Sequence, residues 1–257
     1  MDNPLHYVSV RWAGLASSVS LNDVPLISDP DGAGIVMDYP IDPWLMPTDN
    51  VLGIFLQWPR GVPYQPGVAS GEAHVYIHDP AEETPTPLVS LARFEWPVPV
   101  GPEFYPFNVR LPLKIERPPP AELWKRAEVI KELSEQDRRA IETLVSDMLD
   151  ACRRRDAVAA YSLQEYKWRD MARVDRRDYD RVMRVGASQL EWLMQRPGLT
   201  VVDGAMPLQI DLVAGGRMVA VTRVTGGSPA RLVDDEATSY EIPIHASRLE
   251  GRWTLVR

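Results

Sequence analysis

The chain has 257 residues, of which 45% are apolar and 25% charged, with a net charge of −8. That is the composition of a globular protein, and it excludes collagen-like and disordered classes. A single cysteine, Cys152, excludes an internal disulfide framework, and no apolar run reaches the roughly 20 residues that a membrane-spanning helix needs.

The N-terminal MDNPLHYVSV has no basic segment ahead of an apolar one, so no signal peptide is expected and the expected compartment is the cytoplasm. HYVSVRW alternates, with Tyr7, Ser9 and Arg11 on one side and Val8, Val10 and Trp12 on the other, which predicts a strand. Further strands are predicted in VSLNDVPL, with a turn at Asn22-Asp23, and over 34–41, 50–58, 72–79, 87–96 and 107–115. Short strands divided by Pro- and Asp-rich turns indicate a sandwich or small barrel, and the prolines belong on its edges.

Charge and proline content change sharply near residue 120. The first 120 residues hold 14 acidic and 6 basic side chains and 20 of the 24 prolines, whereas the remainder is charge-neutral. Pro118, Pro119 and Pro120 cannot donate to a ladder and favour an extended spacer. Two domains are therefore expected, an all-β sandwich over 1–117 and an α+β domain over 118–257.

The second domain should open with helices. Ser134 is a predicted N-cap with Glu135 and Asp137 in the first turn. Ile141, Leu144, Val145, Met148, Leu149 and Cys152 form one apolar stripe. Helices are predicted over 156–171 and 177–195, the latter stopped by Pro197-Gly198. Strands follow over 199–204, 208–224 and 239–257, with turns at Gly215-Gly216 and Glu250-Gly251.

Two resemblances accompany these patterns. VSLNDVPLISDPDGAGIVMDYPIDPWLMPTDNVLGIFL (19–56) is similar to the jelly-roll sandwich module found beside many glycoside hydrolases, with Asn22 and Asn50 at that module's turn and strand-opening positions. The order of helices and then strands from 121 onward, closing in RLEGRWTLVR with Gly251 in the turn and Trp253 beyond it, resembles the NTF2-like (cystatin-like) fold. That resemblance implies helices in the concave face of a bent sheet. It also implies a cavity to which Tyr161, Trp192, Asp211 and His245 could contribute, each of which is more simply explained as core or rim.

Residue chemistry narrows the functional classes. His74 and His78 lie four apart on a predicted strand, which places them about 13 Å apart, too far for one metal ion. DPDGAG (29–34) lacks the ligand spacing of a calcium loop. The basic-aromatic run 153–181 is interleaved with Asp156, Glu165, Asp170, Asp175, Asp178 and Asp180, so it reads as a solvated helix pair rather than a nucleic-acid surface. Cys152 sits on the apolar stripe and is expected to be inert. No nucleotide, zinc or hydrolase motif is present, and no cofactor or metal is expected.

The leading expectation is a non-enzymatic binding protein of adaptor or immunity type. Its acidic first half would meet a basic protein partner, with Asp29, Asp31, Asp38 and Asp42 as contacts. A small-molecule or sugar binder using Trp44, Trp58 or Trp96, and an enzyme using the NTF2-like cavity, are the alternatives.

Overall fold

A computed structural model describes residues 5–63, 65, 68–79, 81–96, 103, 105–174, 178–202 and 207–257. Among these it contains four antiparallel sheets and five helices. No described helix is long and apolar enough to cross a membrane. The chain divides into two compact units, Met1–Pro119 and Pro120–Arg257.

The first unit holds eight strands: β1 (His6–Ala13), β2 (Ala16–Leu21), β3 (Val24–Asp29), β4 (Ile35–Pro40), β5 (Asn50–Gln57), β6 (Ser70–His78), β7 (Pro87–Trp96) and β8 (Phe107–Leu113). They form two four-stranded sheets, ordered β4-β1-β6-β7 and β3-β2-β5-β8. Alternation creates one buried face on each sheet. Val8, Val10, Ala73 and Val75 are fully buried on the first, and Val19, Leu21, Leu52, Ile54 and Leu56 on the second. Each large aliphatic side chain buried this way contributes about 1.5–3 kcal/mol. The prolines inside strands, Pro25, Pro40, Pro87 and Pro112, all fall on the edge strands β3, β4, β7 and β8. There a missing N–H costs no ladder bond.

Asn22 and Asp23 turn β2 into β3 with positive φ angles of 55° and 67°, the conformation of a tight hairpin turn. Asn22 is buried and donates to Asn50 Oδ1 (2.9 Å) and to the Trp44 carbonyl (3.0 Å). Asn50 in turn accepts from the Met46 amide and donates to the Met46 carbonyl, both at 2.8 Å. The two asparagines thereby satisfy the backbone of the buried 41–46 crossing, whose short 3-10 turn spans Asp42–Trp44.

The second unit begins with α1 (Leu123–Arg126), α2 (Glu135–Arg153), α3 (Ala157–Leu163), α4 (Glu165–Val174) and α5 (Tyr179–Met194). The α2 N-terminus is a capping box in which the Ser134 hydroxyl accepts from the Asp137 amide, while the Asp137 carboxylate accepts from Ser134. Ile141, Val145, Met148 and Cys152 are buried along α2 as the stripe requires, with Leu144 and Leu149 partly buried against the same core. The expected single helix over 156–171 is two, because the buried Gln164 leaves helical geometry (φ −103°, ψ 9°) between α3 and α4. Gly186 on α5 packs against Trp168, whose ring lies 2.8 Å from where a Cβ would stand.

Seven strands follow: β9 (Thr200–Val201), β10 (Leu208–Val213), β11 (Met218–Arg223), β12 (Ala230–Val233), β13 (Ser239–Ile242), β14 (Ile244–Leu249) and β15 (Arg252–Leu255). Residues 203–204 of the expected strand 199–204, residue 177 at the start of the third expected helix, and Asp175 lie outside the described residues. The sheets are β10-β11-β14-β15 and β13-β12-β9. They share one continuous chain path, since only Pro243 separates β13, which pairs with β12, from β14, which pairs with β11. On the opposing path, six residues, 224–229, separate β11 from β12. β12 is a strand beyond those expected, and the expected turn between β10 and β11 is left-handed at Ala214, Gly215 and Gly216 (φ 51°, 62° and 79°).

Trp253 follows the Glu250-Gly251 turn on β15. Its indole N–H donates to Asp137 Oδ1 at 2.8 Å, which ties the strand to the first turn of α2. Arg248 on β14 donates to the same oxygen at 3.2 Å and to Glu128 Oε2 at 2.7 Å.

Candidate functional site

The four carboxylates expected to form one recognition surface separate into two kinds. Asp29 is buried at the end of β3 and accepts from the Ala33 (3.2 Å) and Gly34 (2.8 Å) amides, fixing the following loop. Asp42 is 2% exposed and accepts from the His6 amide (2.9 Å) and from His6 Nδ1 (2.8 Å). Both are structural acceptors rather than surface contacts. Asp31 and Asp38 are exposed, Asp38 on the edge strand β4, where it accepts from the Tyr76 hydroxyl at 3.2 Å.

Three cations of the first unit are engaged by its own carboxylates. Arg11 and Arg93 pair with Glu72, Arg93 also with Glu95, and Arg110 with Asp23. Glu82 and Glu83, in the turn between β6 and β7, are exposed and add two carboxylates beyond the expected contacts.

A cavity of about 370 Å³ lies within this unit. Its aliphatic wall is Ile77, Leu88, Val89, Leu91 and Ile115; Lys114, Glu116, Arg117 and His6 supply the polar lining. Two irregularities in the β6–β7 pairing build the wall. Val75 faces Ala92 and Tyr76 faces Ser90, which leaves Leu91 without an opposite number. Ile77 faces Val89 and His78 faces Pro87, which does the same for Leu88. Such bulges release a residue from the ladder and re-aim its side chain, and both released leucines line the cavity. His6, whose Nδ1 bonds to Asp42 Oδ1 at 2.8 Å, completes the lining.

His74 and His78 serve the sheet. His74 Nε2 bonds to the Ser90 hydroxyl (2.9 Å), and His78 Nδ1 accepts from the Thr86 amide (3.1 Å). Among the described residues no cluster of His, Cys, Asp or Glu is arranged to hold a metal ion. The expected tryptophan platform is not a surface. Trp44 and Trp96 are buried, Trp96 against Phe107 with ring centroids 4.3 Å apart, and the Trp58 indole donates to the Val62 carbonyl.

The cavity candidates of the second unit also separate. Trp192 is 55% exposed, edge-on to Tyr240 and beneath Arg196. Asp211 is exposed on β10, accepting from Gln209. Tyr161 points inward, stacks on Trp168 and bonds to the Met183 sulfur. His245 is buried on β14, and burial, reinforced by the Lys167 charge, pushes its pKa down to about 4. Burial and Arg257 pull the Lys167 ammonium down to about 8. Arg257 is itself 3% exposed, pairs with the buried Asp170 at 2.7 Å and lies over the Trp124 ring. At neutral pH this interior holds a neutral imidazole beside a lysine close to its titration point. Lys167, Asp170 and Arg257 carried no sequence signal, because only the fold brings them to His245.

No family model, no curated protein and no solved structure matches the chain.

Proposed function

We propose that the protein is a non-enzymatic binding module of adaptor or immunity type, whose first unit recognises a basic protein partner. In this reading the two sheets of the first unit form a jelly-roll-like sandwich, and the second unit is an NTF2-like domain. The supporting observation is the fate of the charges. Arg11, Arg93 and Arg110 are engaged by Glu72, Glu95 and Asp23. The negative excess of the first half is therefore carried by other carboxylates, among them the exposed Asp31, Asp38, Glu82 and Glu83. Exposed charge of one sign steers a complementary partner and accelerates its association.

The test compares the parent with a variant carrying Asp31→Asn, Asp38→Asn, Glu82→Gln and Glu83→Gln. A partner is first captured from native lysate and identified; its association rate with both proteins is then measured at low and at physiological ionic strength. A rate about tenfold lower for the variant at low salt, with the difference shrinking as salt rises, supports the reading. Equal rates at low salt refute it. Asp29 and Asp42 stay unchanged, because neutralising them would perturb the fold.

A further inference from the structure

We propose that the outer edge of β4 takes up an extended segment of the basic partner as an added antiparallel strand. This rests on the protein-partner reading above and names the element and the sequence pattern through which contact is made. Hydrogen-bond alternation identifies the free backbone groups. The Ile41 amide donates to the His6 carbonyl at 2.9 Å, and the β1–β4 register runs unbroken from there to Trp12 and Ile35. Ile35, Met37 and Tyr39 therefore bond towards β1, while the N–H and C=O groups of Val36 and Asp38 point away from it. The far side of β1 agrees. The His78 amide donates to the Leu5 carbonyl, which turns Tyr7, Ser9 and Arg11 towards β6 and leaves Val8, Val10 and Trp12 for β4. Among the described residues no strand pairs with the outer side of β4.

The other three edges of this unit are blunted. β3 carries Pro25 and a bulge, β7 two bulges, and β8 both Pro112 and the Arg110–Asp23 pair. β4 has no bulge, and no proline before its last residue, Pro40. Val36 is 76% exposed and Met37 41%, so an added strand would cover apolar surface as well as backbone. Charge and register set the pattern. Among the described residues Asp38 accepts only from the Tyr76 hydroxyl, and Arg11, which faces Val36 across the β1–β4 pair, is held by Glu72. An antiparallel strand would set one residue beside Asp38, the next beside Met37 and the next beside Val36, which selects the order basic, apolar, apolar. Self-pairing centred on Met37 would bring two Asp38 carboxylates within two positions of each other, which disfavours a second copy as the occupant.

The experiment titrates the full chain with acetyl-Lys-Val-Lys-Val-Val-Thr-amide and follows the Val36 and Asp38 amide resonances by NMR. Both should shift. The same peptide methylated on the amide nitrogens of its third and fifth residues, which would face the edge, should leave them in place. A peptide with glutamate for both lysines should bind several-fold more weakly. Val36→Pro removes an outward N–H without costing β1 a ladder bond, and the Asp38 resonance should then stay in place. Asp38→Asn should weaken the lysine peptide about two- to fivefold. Absence of any shift, shifts confined to other residues, methylated or glutamate peptide binding as tightly as the lysine peptide, or either variant binding like the parent would each overturn the proposal. Concentration-dependent shifts of the two amides without peptide would assign the edge to a second copy and overturn it as well. Failure here is distinct from failure of the partner reading, because the methylated peptide and Val36→Pro alter no carboxylate, whereas the carboxylate variant alters no backbone group.

Discussion

Asp137 joins a helix start to the last strand, and its replacement tests that junction directly. Its carboxylate accepts from the Ser134 amide (3.1 Å) and hydroxyl (2.7 Å), the Trp253 indole (2.8 Å) and Arg248 (3.2 Å), while its side chain is only 12% exposed. The Ser134 and Trp253 bonds hold its pKa at about 2, against an ordinary 3.8. At 1.36 kcal/mol per unit that depression is worth about 2 kcal/mol. The folded value lies below the unfolded one, so this stability is complete above about pH 4 and is lost as pH falls towards 2. Asp137→Asn should therefore lower unfolding stability by about 2 kcal/mol at pH 7, and the gap should close in acid. Asp137→Ala, which also removes the cap and strands the Trp253 N–H, should cost about 3–4 kcal/mol. Urea unfolding of parent and variants from pH 7 to pH 2 provides the measurement. Parent and Asn variant curves that agree at pH 7, or that run parallel into acid, would show that Asp137 is not the junction described.

Gly71→Ala should destabilise the first unit by at least about 2–3 kcal/mol, since the new Cβ would stand 1.4 Å from a ring carbon of Trp12; thermal melting reads this, and a parent-like midpoint would refute the packing. Cys152, whose thiol burial raises to about 11, should resist thiol reagents at pH 8 until the chain is denatured; labelling at the rate of a free thiol would contradict its burial. The His245 ring should stay neutral in NMR titration down to about pH 5. Its folded value lies below the ordinary 6.5, so it removes stability as pH drops from about 6.5 towards 4, and a midpoint near 6.5 would refute its burial. Arg257→Met alone should cost about 3–5 kcal/mol by leaving Asp170 charged and buried without its partner, and adding Asp170→Asn should recover much of the loss; a double variant no more stable than the single would refute the pairing.

Local features could be read from sequence because their physics is local. A cap needs Ser134 and Asp137 three residues apart, a stripe needs Ile141, Val145, Met148 and Cys152 on one side of one helix, and a hairpin needs Asn22-Asp23 at its tip. Proline on edge strands follows from its missing N–H and is equally readable. The sites depend on distant partners and so had no such signature. Asp42 looked like one more turn carboxylate because His6, which buries it, lies 36 residues away. Arg257 and Asp170 are 87 residues apart. The bulges that bring Leu88 and Leu91 to the lining of the cavity arise from pairing with β6, which neither leucine's neighbours announce. β12 was missed because four residues flanked by a Gly-rich loop and an acidic turn give too short a pattern to separate strand from coil.

The single proline between β13 and β14 makes the two paths across the second unit's sheets unequal in their tolerance of length change. An extra residue beside Pro243 would advance β14 by one place, sending His245 and Ser247 towards the core now filled by Ile244 and Ala246. Such an insertion would unseat one sheet while leaving the other in register. On the opposite path the chain turns over 224–229, and a Cβ at Gly226, at the tip of that turn, would meet nothing within 4 Å. Chain length can therefore vary at Gly226, where a tag or a spliced peptide would be carried without cost to the sheets, whereas one added residue seventeen positions later would not be tolerated.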